Sequence, residues 1–102
     1  MATASSIVRT IIPEELAARV RALGARYGVQ NIRVFGSVAR GEAGPHSDID
    51  LLVDYVPGHG GFAFVEFCDG VEKLLGRPVD VVTERSLHPR VRDRILQQAL
   101  SL

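Results

Sequence analysis

The carboxylates of Asp48, Asp50 and Asp80 and the turn at Gly36-Ser37 are the residues of this chain whose types and spacing suit chemistry. Ser47-Asp48-Ile49-Asp50-Leu51-Leu52-Val53 reads as an apolar strand interrupted by two acids. Alternate strand residues point to opposite faces. Asp48 and Asp50 therefore share one face, while Ile49, Leu51 and Val53 turn to a core. Two like charges this close repel, and burial raises the cost. A cation between them removes the conflict, and hard oxygen ligands favour Mg²⁺, Mn²⁺ or Ca²⁺. Taken alone, Asp-x-Asp also describes two solvated residues at a strand end. Arg77-Pro78-Val79-Asp80-Val81-Val82 is a second apolar run interrupted by an acid, with Asp80 projecting away from Val79 and Val81. If the two strands are neighbours, Asp80 completes a three-carboxylate cluster. Such a cluster can hold two metal ions about 4 Å apart, the spacing used for in-line phosphoryl displacement.

Phe35-Gly36-Ser37-Val38-Ala39-Arg40-Gly41 runs from a strand through a glycine into a short helix. A strand-to-helix turn leaves backbone N–H groups unpaired at the helix start, which suits a phosphate. Gly36 permits close approach, Ser37 adds a hydroxyl, and Arg40 stands one turn later. The same turn also reads as a plain connection with Ser37 as helix cap. It is neither a P-loop nor a dinucleotide turn, because the Lys-Ser/Thr of the first and the glycine triplet of the second are missing.

These residues need elements to position them. Pro13, Glu14 and Glu15 open a helix whose apolar side is Leu16, Val20, Leu23 and Tyr27, stopped by Gly28. Val29–Phe35 is a strand with Ile32 and Val34 on one side, and Ser37–Gly41 a short helix. Gly44-Pro45-His46 is a loop carrying a surface histidine. Asp48–Tyr55 is a second strand, followed by the glycine-rich loop Pro57–Gly61. Phe64, Phe67, Cys68, Val71, Leu74 and Leu75 form a helical stripe ended by Gly76. Pro78–Thr83 is a third strand, and Pro89 opens a last helix with Val91, Ile95, Leu96, Ala99 and Leu100 on its apolar side. The order α-β-α-β-α-β-α predicts an α/β (α+β) domain, a small mixed β-sheet with helices packed on it. Residues 1–11 read as a loosely ordered start and residues 12–102 as one domain.

Twelve basic and twelve acidic residues cancel, which argues against a nucleic-acid binder that depends on a broad positive field. The single cysteine, Cys68, has no disulfide partner and no zinc-type neighbours; its helical setting predicts a buried small hydrophobe. No apolar run approaches the roughly 20 residues of a membrane span, and Met1–Arg9 lacks the apolar centre of a signal peptide. The expectation is a cytoplasmic protein.

Ten residues separate Ser37 from Asp48, giving Gly-Ser-x10-Asp-x-Asp with a further strand aspartate downstream. In these motifs the chain resembles the DNA polymerase β-like nucleotidyltransferase superfamily, and within it the minimal nucleotidyltransferases that serve as antitoxins of HEPN-domain toxins. The likeness runs from about Ile12 to Leu102. It implies a nucleotidyltransferase core, with Asp48, Asp50 and Asp80 as catalytic metal ligands for two Mg²⁺ ions. It also implies that Gly36 and Ser37 position the β- and γ-phosphates of ATP, with Arg40 and Ser47 as further nucleotide-site residues. Arg40 would brace the loop through an acidic partner, and Ser47 would orient the strand bearing Asp48. The reaction implied transfers AMP to a tyrosine of the cognate HEPN toxin and releases pyrophosphate. The loop Pro57–Gly61 and the basic residues Arg85, Arg90, Arg92 and Arg94 are then the contacts expected for a protein acceptor. Exposed edges of so small a sheet can pair with the toxin or with a second copy. Two other functions fit the same residues: a binding module that neutralises a toxin by occlusion with little catalysis, and transfer to a small molecule or an RNA end.

Overall fold

In the computed structural model, which describes residues 4–44 and 46–102, four strands form one mixed sheet. They are β1 (Val29–Phe35), β2 (Ile49–Tyr55), β3 (Val79–Thr83) and β4 (Leu100–Ser101), in the spatial order β3-β2-β1-β4. β1 is antiparallel to both β2 and β4, and β2 is parallel to β3. Helices α1 (Ala4–Ile11), α2 (Glu14–Tyr27), α3 (Gly36–Arg40), α4 (Ala63–Leu75) and α5 (Pro89–Gln98) complete the fold. The expected mixed sheet with packed helices is therefore the architecture observed.

Strand alternation builds the core. Val29, Ile32 and Val34 from β1 and Ile49, Leu51 and Val53 from β2 are buried together with Ala17 and Val20 of α2 and Phe67 and Val71 of α4. Each fully buried aliphatic or aromatic side chain contributes about 1.5–3 kcal/mol. α4 carries the chain from the end of β2 back to the start of β3, as a parallel pair requires. The helix stops at Gly28 and Gly76 have positive φ, 77° and 69°. Gly24 within α2 is buried, and a Cβ there would stand 2.5 Å from the Val29 carbonyl oxygen; glycine lets the helix lie close against the start of β1.

Four expectations change. Residues 4–11, expected to be loose, form α1, with Val8 buried on the core; residues 1–3 lie outside the described residues. Eight residues make no stable helix alone, so the helix depends on packing, and Ile7 rests against Gly41 at the end of α3. The last helix ends at Gln98, and Leu100–Ser101 leaves it to pair with β1 as an edge strand. Cys68 is half-buried, because its position on α4 borders the Asp69 and Glu72 side. Strand pairing begins at Ile49 and Val79, one residue after the predicted starts at Asp48 and Pro78. His46 is exposed in its loop as expected, while its neighbour Pro45 lies outside the described residues.

Candidate active site

β2 and β3 run side by side with Asp50 directly opposite Asp80. Adjacent strands lie about 4.8 Å apart, and in-register residues share a face. The adjacency needed to bring Asp80 to the paired aspartates is therefore present. Phe35 is the partner of Asp50 on the other side, so the next residue, Gly36, is delivered to the same place. Asp48 sits immediately before β2 and is exposed, Asp80 is exposed, and Asp50 is half-buried.

The three carboxylates feel one another. Burial pushes the Asp50 carboxyl above its ordinary value, Asp80 and Asp48 push it further, and the Arg40 guanidinium pulls the other way. Like-charge repulsion raises a carboxylate pKa in this manner. Among the described residues no three His, Cys, Asp or Glu side chains already converge on one point as a metal cage. Asp50 and Asp80 thus share a face, and Asp48 adds to the same field. Their chemistry fits a hard cation: all donors are carboxylate oxygens, and the Arg40 guanidinium offsets part of their mutual repulsion.

Gly36 opens α3 with φ 72°. A Cβ at this position would collide with the Asp50 carboxylate. The turn and the acid are therefore in direct contact, and glycine is demanded twice, by backbone conformation and by that approach. Ser37 is half-buried, and its hydroxyl has no partner among the described residues. The first N–H groups of any helix lack intrahelical acceptors; the Gly36 N–H is met by Gln98 Oε1 at 2.9 Å.

Arg40 donates to Glu42 Oε2 at 3.1 Å and to Gln98 Oε1 at 3.3 Å. The Ser47 hydroxyl accepts from the Gly44 N–H at 2.8 Å and closes the turn that feeds Asp48. Arg77 donates to the Ser47 carbonyl at 3.3 Å. Sequence reasoning passed over Arg77 and Gln98. Arg77 was signalled by its place beside the Pro78 strand; nothing local signalled Gln98, which is 62 residues from its partner Gly36.

Two expected acceptor contacts fare differently. The loop Pro57–Gly61 lies at the other end of the sheet, where Val56 bonds Gly28. Residues 51–55 of β2 and then Val56, about 20 Å of extended chain at 3.3 Å per residue, separate it from Asp50. A hollow of about 620 Å³ opens at that far end, lined by Arg21, Gly28, Val29, Val56, His59 and Leu102 among others, and it contains none of the predicted site residues. Arg85, Arg90, Arg92 and Arg94 are exposed on and just before α5, with Arg92 paired to Glu84 at 3.4 Å.

A nucleotidyltransferase domain model matches residues 14–102. The chain belongs to the nucleotidyltransferase domain family. It is 40% identical over 77 residues to a Methanocaldococcus jannaschii protein named as a protein adenylyltransferase, covering 76% of this chain and 83% of that one. It is 39% identical over 85 residues to the protein adenylyltransferase MntA of Thermococcus cleftensis, covering 83% and 86%. A solved structure described as a minimal nucleotidyltransferase superposes with a TM-score of 0.72 at 46% identity, covering 87% of this chain and 94% of the other. A toxin–antitoxin structure with AMP-PNP superposes with a TM-score of 0.67 at 24% identity, covering 83% and 70%; that likeness is one of fold. Within the family this chain is an enzyme of the minimal nucleotidyltransferase type. Among the described residues no helix is long and apolar enough to cross a membrane.

Proposed function

We propose that this chain is a Mg²⁺-dependent protein adenylyltransferase of the cytoplasm that moves AMP from ATP onto a tyrosine of a cognate HEPN-type toxin and so acts as its antitoxin. The observation that carries the reading is the in-register Asp50–Asp80 pair with the Gly36 turn pressed against Asp50. A phosphate-binding turn and an unneutralised acidic pair at one point suit a triphosphate bound with its cation. The names of the relatives supply the protein acceptor, and the toxin–antitoxin neighbour supplies the kind of partner.

Asp48, Asp50 and Asp80 would hold Mg²⁺, which when bound neutralises the triphosphate and eases loss of the acceptor hydroxyl proton. Ser37 would donate its hydroxyl and backbone N–H to the terminal phosphates, and Gly36 would let them approach. Arg40 would hold the turn in place and offset the acidic field at Asp50. Catalysis would then rest on positioning and electrostatic stabilisation. The exposed arginines on and just before α5 suit an acidic patch on the acceptor.

Incubation with labelled ATP, Mg²⁺ and the partner encoded beside this chain should label the partner, with an added AMP on tyrosine by mass spectrometry. The double variant Asp48→Ala, Asp50→Ala should abolish the label, and unchanged labelling would sink the assignment. Full toxin neutralisation in cells by that double variant would favour occlusion instead.

A further inference from the structure

We infer that Gln98 is a positioning residue of the active-site turn, tying the end of α5 to Gly36 and Arg40. This inference rests on the reading of that turn as the triphosphate site.

The sheet itself puts Gln98 there. β4 pairs antiparallel with β1 through Arg33–Ser101 and Val34–Leu100. Carried two residues further, that register sets Gln98 opposite Gly36. The chain has left the ladder by then, α5 ending at Gln98 and α3 beginning at Gly36, so a backbone partner is replaced by a side chain. The Gln98 amide oxygen accepts from the Gly36 N–H at 2.9 Å and from Arg40 Nη1 at 3.3 Å, while its amide nitrogen donates to the Arg94 carbonyl at 3.5 Å. One acceptor thus fixes both ends of α3, the glycine that meets Asp50 and the arginine that faces the acidic cluster.

Nothing else in α5 is placed to do this. The helix contributes no buried residue, and its main packing neighbour is α3. The acceptor is also neutral. It holds Arg40 in place without adding a charge of its own. With the Gly36 N–H engaged, the Ser37 hydroxyl and the following N–H groups of the first turn of α3 are the donors left for a phosphate, and Gln98 sets the direction in which the turn points. Its role is therefore exerted through Gly36 and Arg40.

Removal of the acceptor tests this. Gln98→Leu should weaken binding of ATP, measured by calorimetry with Mg²⁺ present, about tenfold, the size expected when one part-buried hydrogen bond is lost. Gln98→Asn keeps the polarity but lacks the reach, and should behave like Q98L. Amide exchange at Gly36, followed by NMR without nucleotide, should quicken about tenfold in Q98L and remain protected in Gln98→Glu, which keeps the acceptor oxygen. A residue that serves only overall stability would slow or quicken exchange throughout the sheet, leaving no selective effect at Gly36. Wild-type protein that binds no ATP sinks the reading of the site, whatever position 98 does. Wild type that binds ATP, with Q98L and Q98N binding it equally well or more tightly, overturns the positioning role alone. So does unchanged Gly36 protection in Q98L.

Discussion

β2 presents two faces with opposite physics. On one, Ile49, Leu51 and Val53 are buried at 1%, 0% and 0% exposure and pack into the shared core. On the other, Asp50 and Asp54 flank Leu52. Asp54 is paired with Arg33 at 3.1 Å and also accepts from Asn31 at 3.1 Å. Asp50 has no ion pair among the described residues and faces Asp80 across the ladder. Two aspartates of one strand face are thus treated differently, one neutralised and one left in conflict. The difference shows where a protein of this size invests in function: Ile49, Leu51, Leu52 and Val53 are buried and hold the fold, and the unresolved charge lies at the candidate site. The hollow of about 620 Å³ at the far end of the sheet coincides with neither.

Breaking each face in turn should separate the two roles. The largest effect is expected from Asp50→Ala. It should lower adenylyl transfer at least about 10³-fold, the scale seen when a principal electrostatic group is removed from an active site, while thermal unfolding stays cooperative. Leu51→Ala, one residue away, should do the reverse. Truncating a fully buried leucine costs about 2–5 kcal/mol, which is a large part of a small domain's stability. Denaturant unfolding should show that loss, and transfer per folded molecule should remain near wild type. Equal activity losses in the two variants would mean that the faces are not separable.

Gly36→Ala probes the point where the faces' products meet. Alanine at φ 72° is strained, by about 1–3 kcal/mol for a residue held in a sparsely populated region. The added methyl also collides with the Asp50 carboxylate. The variant should lose both stability and ATP affinity, which neither β2 variant does alone. Unfolding midpoints and nucleotide titrations on the same sample check this, and an unchanged affinity would separate the turn from the acid.

How much of this was legible in the sequence differs by residue. The alternation in Ile49-Asp50-Leu51 assigns these residues to the two faces of β2, because a period of two leaves no freedom. The turn at Gly36 was legible because a strand that ends in Gly-Ser has few other conformations. The Asp50–Asp80 adjacency was only conditional, since strand order is a tertiary property. α1 was missed because eight residues carry little intrinsic helical signal, and its order comes from the core that covers Val8. The C-terminal strand was missed because Val91, Ile95, Leu96 and Ala99 continue a helical stripe into Leu100, and only pairing with β1 overrules it. Gln98 was invisible for the same reason: its partner is set by β4's register and not by local spacing.

The smallest expected effect concerns the conflict itself. Burial, Asp80 and Asp48 together hold the Asp50 carboxyl above its ordinary value. The folded protein therefore keeps a proton on Asp50 at pH values where the unfolded chain, with a value near about 3.9, has released it. That proton's contribution to stability is fully present below the unfolded value and is lost as pH rises through the higher folded one. At neutral pH Asp50 is thus a net burden, and Asp50→Asn, which removes the charge and keeps the shape, should be the more stable protein in metal-free buffer. Solvent reaches much of the group, so the gain after screening should not exceed about 1 kcal/mol. The advantage over wild type should shrink as pH falls through the folded pKa of Asp50. Glu14, held below its usual value chiefly by its hydrogen bond to Arg21, titrates in the opposite sense in both proteins, and the difference between their melting curves cancels it. A pH-independent difference would show that the acidic pair costs the fold nothing. A difference that vanishes when Mg²⁺ is added would show that the cation relieves the strain these residues leave open.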